Sequence, residues 1–204
     1  VRVPDADTTL IKIAASGEER AVLAGGTAGL GVGAAALALA ASPAGTYTVV
    51  GCDPIGMTAL IALKNGAAGV KDRIFAIEDH PARRTLAANY TKAVFTSRGE
   101  ALQHQSDVVI AGALRYGPGI EVIAGSVKAG GHIVIAEPYA ASIVPGADMP
   151  FPEGVTFSAA SWPDLDAARK IVTELQIRRI DLTPVVSHVM PLDEVQDAYE
   201  AAAG

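Results

Sequence analysis

Short apolar runs alternate along this chain with longer Ala-rich or amphipathic stretches, and the alternation predicts its elements. Residues 21–24, 47–52, 107–112 and 132–136 are apolar runs without in/out alternation. Such runs, bounded by turn residues, fit strands covered on both faces, as a parallel sheet requires. Shorter strand candidates lie within 70–77, at 93–96, at 155–158 and at 185–189. Between them, 32–41, 54–64, 81–90, 120–128, 164–175 and 192–203 have helical character. Asp53-Pro54 starts one of these helices with a capping acid and a proline at the first helical position, and Asn65-Gly66 ends it. Strands alternating with helices in this way predict an α/β fold built on a doubly wound parallel sheet.

Residues 21–52 carry no charge, a stretch long enough to raise the question of a membrane span. Gly25, Gly26, Gly29, Gly31 and Gly33 crowd its first half, Ser42-Pro43-Ala44-Gly45 breaks it, and Ala and Gly stand where a span uses Leu, Ile and Phe. A buried strand, a glycine turn and a buried helix are expected instead, and no membrane association. The 204 residues, 50% apolar and 19% charged, are globular in composition and suffice for one domain with a core of its own. A net charge of -6 without basic runs argues against nucleic acid as a partner. The single cysteine, Cys52, excludes a disulfide framework and Cys-rich zinc sites. Residues 1–7 are polar and Pro-bearing rather than a signal peptide, so a cytoplasmic location is expected.

Candidate chemistry begins at Ala24-Gly25-Gly26-Thr27-Ala28-Gly29-Leu30-Gly31, between the run 21–24 and the Ala-rich helix. A dinucleotide-binding turn uses glycine for a tight bend, for approach of the backbone to the pyrophosphate and for close helix–strand packing. The helix N-terminus then offers N–H groups and the positive end of its dipole to the phosphates. Gly26-x-Ala28-x-x-Gly31 gives the pattern with Ala at the middle position. Asp53 follows the second run, where a carboxylate can accept hydrogen bonds from both ribose hydroxyls and repel a 2′-phosphate. NAD is therefore expected as cofactor, in preference to NADP. Asp53 also reads as a plain N-cap before Pro54, and the two roles are compatible.

Gly25-x-x-x-Gly29-x-Gly31 also fits the turn of short-chain dehydrogenases, which pair a catalytic Tyr with a Lys four residues on. The residues four beyond Tyr47, Tyr90, Tyr116, Tyr139 and Tyr199 are Gly51, Val94, Ile120, Ile143 and Ala203, so that pair is missing. Six segments in order resemble the cofactor-binding domain of the medium-chain dehydrogenase/reductase family, the zinc alcohol and polyol dehydrogenase group. They are Val3-Pro4-Asp5, residues 22–41, Ala62-Leu63-Lys64-Asn65-Gly66-Ala67, residues 107–112, residues 127–134 with Lys128-Ala129-Gly130-Gly131, and His188-Val189-Met190-Pro191-Leu192. The resemblance implies a Rossmann-type dinucleotide-binding fold serving hydride transfer between an alcohol or polyol and nicotinamide. It places the pyrophosphate on Gly26, Thr27, Ala28, Gly29, Leu30 and Gly31, and the ribose on Asp53. It brings Ala111 and Gly112 near the adenosine, Ala136 and Glu137 near the nicotinamide, and implies a homodimer paired through edge strands.

In that family the zinc ligands and proton relay lie mainly in a separate preceding domain, which these 204 residues are expected not to include. No catalytic residue and no metal ligand is therefore assigned, and zinc is not expected to bind here. His80, His104, His132 and His188 lack ligand spacing and read as surface or strand-end histidines. The expected organisation is an opening segment over 1–20, an NAD-binding Rossmann-like domain over 21–180, and a strand and helix over 181–204 that in relatives return to the catalytic domain. The chain is expected to bind NAD(H) and, alone, to turn over no alcohol. A non-catalytic dinucleotide-sensing module would use the same turn and acid. An S-adenosylmethionine methyltransferase shares a glycine turn and an acid, but not the six ordered segments.

Overall fold

The computed structural model of the chain describes residues 2–6, 10–13, 26–66, 70–97, 104–112, 119–136, 151–177 and 179–203. Among these residues six strands, β1 (Tyr47–Val50), β2 (Ile74–Ile77), β3 (Ala93–Phe95), β4 (Ser106–Ala111), β5 (Val127–Ile135) and β6 (Thr156–Ala159), form one sheet in the order β3-β2-β1-β4-β5-β6. Every pairing is parallel, so this is the doubly wound α/β sheet that the apolar runs predict. The chain steps outward from β1 to β3, then crosses back and continues from β4 on the other side of β1. The order reverses between β1 and β4, and in open α/β sheets ligands bind outside the carboxyl ends of the strands at that point.

The helices are α1 (Thr27–Ala41), α2 (Pro54–Gly66), α3 (Pro81–Ala87), α4 (Ile120–Ser126), α5 (Leu165–Gln176) and α6 (Val195–Ala203). Successive strand residues point to opposite faces, and both faces are covered. Tyr47, Val49, Ile74, Ala76, Val108, Ile110 and Val134 pack with Leu30, Ala34, Leu60 and Leu63 of α1 and α2. Val50, Ile77, Val109, Ile133 and Ile135 face the other way, toward Ile123 of α4. Removing each large side chain of this kind from water contributes about 1.5–3 kcal/mol. α1 is apolar all round because it is wedged against α2, β4, β5 and α5. α5 is amphipathic: Asp164 caps it by accepting from Ala167 N at 2.7 Å, and Ala168, Ile171, Val172 and Leu175 turn one stripe inward.

Two features differ from the sequence expectation. α1 begins at Thr27, so Thr27 to Gly31 form helix rather than turn. Residues 186–190 follow a 3-10 turn (Thr183–Val185) and are no part of the sheet, because Thr183-Pro184 directs the chain along the surface rather than to a strand edge. The expected strand at 21–24 lies outside the described residues.

Candidate functional site

At the switch point β1 ends in Gly51-Cys52-Asp53-Pro54-Ile55-Gly56 and β4 ends in Gly112. Gly51 has a φ of 82°, a left-handed conformation that favours glycine, and it swings the chain from β1 into α2. A methyl group on Gly56 would sit 1.9 Å from the Gly51 carbonyl oxygen, and one on Gly112 would sit 2.9 Å from the same oxygen. Strand, turn and helix thus touch backbone to backbone. Residues 51–56 form a tight strand-to-helix turn.

Asp53 caps α2. Its Oδ1 accepts from Gly56 N at 2.8 Å and its carbonyl accepts from Met57 N at 2.8 Å. Gly51 N donates to Ile77 O at 2.9 Å, Cys52 N donates to Glu78 Oε2 at 2.7 Å, and Pro54 has no N–H. The turn's donors at 51, 52, 56 and 57 are therefore occupied within the protein. The Cys52 thiol is fully buried, and burial, reinforced by the Glu78 and Asp53 charges, pushes its pKa far above the ordinary thiol range.

β2, the strand beside β1, is followed by Glu78, which is 4% exposed. Glu78 Oε1 accepts from His80 N at 2.7 Å and from Arg83 Nη2 at 3.0 Å, while Oε2 accepts from Cys52 N. Burial raises its pKa, but the Arg83 hydrogen bond, the His80 and Cys52 N–H groups and the Arg83 charge outweigh burial, so it lies below the usual range. Asp79 next to it accepts from Ser97 N at 2.8 Å and Ser97 Oγ at 2.6 Å, tying β2 to the end of β3.

Asp53, the acid assigned to the ribose, directly follows β1, and Glu78 follows β2. Gly26, Thr27, Ala28, Gly29, Leu30 and Gly31 form the N-terminal end of α1, which follows residues outside the described ones. A methyl group on Gly29 would lie 2.3 Å from Pro163 Cγ, and one on Gly31 would lie 2.6 Å from Ile55 O. Their glycines let α1 pack against Trp162-Pro163 and α2, and Ala28, Gly29, Leu30 and Gly31 are buried. Ala111, Gly112 and Ala136 do lie at the carboxyl edge, with Ala136 N donating to Ala111 O at 2.9 Å. Glu137 is outside the described residues. Sequence reasoning did not single out Gly56 or Glu78, which hold the turn after β1 in place.

The histidines make ordinary contacts. His132 bonds Thr156 Oγ1 at 2.7 Å and Ser158 Oγ at 2.8 Å, and His104 packs 3.7 Å from the Phe75 ring centroid. Among the described residues no three His, Cys, Asp or Glu side chains converge as metal ligands. No described helix is long and apolar enough to cross a membrane.

No protein-family model matches the chain, and no curated protein matches it. Solved structures do. An alcohol dehydrogenase from Thermus sp. ATN1 is 22% identical with a TM-score of 0.72, over 98% of this chain and 60% of that one. L-idonate 5-dehydrogenase from Escherichia coli is 16% identical with a TM-score of 0.73, over 95% and 56%. Benzyl alcohol dehydrogenase from Acinetobacter calcoaceticus is 17% identical with a TM-score of 0.72, over 97% and 58%. The chain thus has the α/β fold of alcohol dehydrogenase-type oxidoreductases, in accord with the medium-chain resemblance of its sequence, and spans a little over half of their length.

Proposed function

We propose that the chain is the nucleotide-binding portion of a medium-chain-type, NAD-linked alcohol or polyol dehydrogenase, with the catalytic groups and zinc ligands on a part of the enzyme other than these residues. The observation that carries this reading is the switch-point crevice, with a Gly-x-x-x-x-Gly turn after the central strand and a carboxylate ending the next strand. The adenosine half of a dinucleotide fits there. Glu78 accepts three hydrogen bonds where a carboxylate offers about four lone-pair sites, so it retains one acceptor for a ribose hydroxyl. Its charge disfavours a 2′-phosphate, which supports NAD over NADP.

Residues 181–204 expose Val189, Leu192, Val195 and Tyr199, and this apolar stripe supports their role as the return to a catalytic domain, after the nucleotide domain over 21–180. The β6 edge, where Phe157 is partly exposed, is where two copies would pair as a homodimer. Calorimetric titration of the folded chain with adenosine, NADH and NADPH tests the reading. Saturable binding of adenosine and NADH, weakened in Glu78→Gln and poorer for NADPH, supports it. A folded chain that binds none of the three overturns it.

A further inference from the structure

We infer that β5 and β6 carry a second reactive site, in which Ser158 is a nucleophile and His132 its base, acting on small carboxylic esters. The site is separated from the strand of Glu78 by β1 and β4 and shares no residue with the crevice. His132 is the register partner of Thr156, and Val134 that of Ser158, so all four side chains stand on one face of the sheet. Val134 is in the core beneath α1. His132 stands where α1 ends at Ala41, beside a cavity of about 490 Å³. Taken singly, the contacts of its ring are ordinary hydrogen bonds; together they fix a tautomer. Thr156 Oγ1 donates to Gly131 O at 3.4 Å, so it accepts from His132 Nδ1 at 2.7 Å, and Nδ1 carries the proton. Nε2 keeps its lone pair and accepts from Ser158 Oγ at 2.8 Å. This is the polarity of an activated hydroxyl: nucleophile to base, base to a third group that orients it. Burial lowers the pKa of His132 and keeps the ring neutral near pH 7.

The cavity walls suit a small acyl group. Ala41, Ala129, Gly130 and Gly131 leave room, and Lys128 Nζ gives one of its three N–H groups to Asp107 Oδ1 at 2.8 Å. The other two can face the charge that develops on a carbonyl oxygen. In the proposed step Ser158 Oγ attacks the ester carbonyl carbon as its proton passes to His132 Nε2. The Oγ–C bond forms, the bond to the leaving oxygen breaks, and that oxygen takes the proton from Nε2. Water then adds to the acyl carbon, its proton passes through Nε2 to Oγ, and the carboxylic acid leaves. Side chains of β6 stand off the faces of the sheet, so main-chain pairing at its edge does not use Ser158 Oγ.

Hydrolysis of p-nitrophenyl acetate by the full chain, followed by release of nitrophenol, tests the site. Peptide mass mapping is expected to find the acetyl group on Ser158. Ser158→Ala and His132→Gln, shown to be folded by circular dichroism, are each expected to lower the rate about tenfold or more. Thr156→Val removes the acceptor for Nδ1–H and is expected to lower the rate, with Thr156→Ser restoring it, which marks Thr156 as a positioning residue. Diisopropyl fluorophosphate needs no variant: it is expected to label Ser158 of the wild-type chain ahead of every other hydroxyl. A rate in Ser158→Ala equal to wild type, or neither acetyl nor phosphoryl group on Ser158, overturns the inference. Neither result bears on nucleotide binding in the crevice.

Discussion

Gly56→Ala and Gly33→Ala are the same chemical change on two helices, and the structure assigns them opposite signs. A methyl group on Gly56 would lie 1.9 Å from the Gly51 carbonyl oxygen, 3.0 Å from its carbon and 3.4 Å from Val49 Cγ1. The first two are backbone atoms in a turn fixed by Gly51 N to Ile77 O and Gly112 N to Val50 O, so no side-chain rotation relieves the contact. β1 and α2 must separate, which disturbs core packing around Leu60 and Val49. Overpacking of this severity costs about 3 kcal/mol or more, and the better helix propensity of alanine recovers at most about 1 kcal/mol. The net loss is about 2 kcal/mol or more by this arithmetic. Around Gly33 nothing lies within 4 Å of the added carbon, so alanine there contributes about 0.5–1 kcal/mol of stability. The two variants should therefore differ by about 3 kcal/mol, or about 6–12 °C in Tm for a chain of this size. Urea unfolding followed by circular dichroism measures both midpoints and slopes. The reasoning fails if Gly56→Ala unfolds within about 1 kcal/mol of wild type, or if Gly33→Ala is the less stable of the pair.

Other outcomes follow from the charged and sulfur groups. Glu78→Gln should cost about 1–3 kcal/mol at pH 7, since three donors lose a buried carboxylate. The folded pKa of Glu78 lies below its unfolded 4.5, so its stabilisation is complete above about pH 4.5 and is lost as pH falls through the folded value. Acid unfolding of the Gln variant should lack that component, and an unchanged acid limb would refute the assignment. Asp107, held at about 2 by Lys128 Nζ at 2.8 Å and by Thr46, acts between pH 3.8 and about 2 with the same sign. Both partners are substantially exposed, so Asp107→Asn should remove only about 1 kcal/mol or less of that limb in a pH titration of stability. Cys52 should resist a thiol-specific disulfide reagent in the native state and react at the rate of unfolding, because its thiol is buried and its ionisation suppressed. Labelling within the mixing time, without loss of circular dichroism, would contradict this.

Element type was legible wherever burial imposes a local pattern. The apolar runs at 107–112 and 132–136 became β4 and the end of β5, and the amphipathic stretch at 164–175 became α5. The position of a strand in the sheet is set by partners distant in sequence, and no local pattern encodes it. The glycines at 29 and 31 allow close packing of α1, and the strand expected before them at 21–24 lies outside the described residues. The capping role of Asp53 was legible in Asp53-Pro54. Glu78 was not, because its bond to Cys52 N joins residues that only the fold brings together. Residues 186–190 show the limit of β-branched composition, which supplies the propensity for a strand but no neighbour to pair with.

Glu78 joins three parts of the chain through one carboxylate: the turn leaving β1, the backbone entering α3 and the Arg83 guanidinium on α3. A hydroxyl that takes the acceptor position Glu78 retains shares Oε2 with the Cys52 amide and weakens that bond. Occupancy of the crevice and opening of the turn then become one linked equilibrium. Solvent exchange of a single amide hydrogen, that of Cys52, would record how far a guest has displaced the protein's own donor, and would do so before any change in global stability is visible.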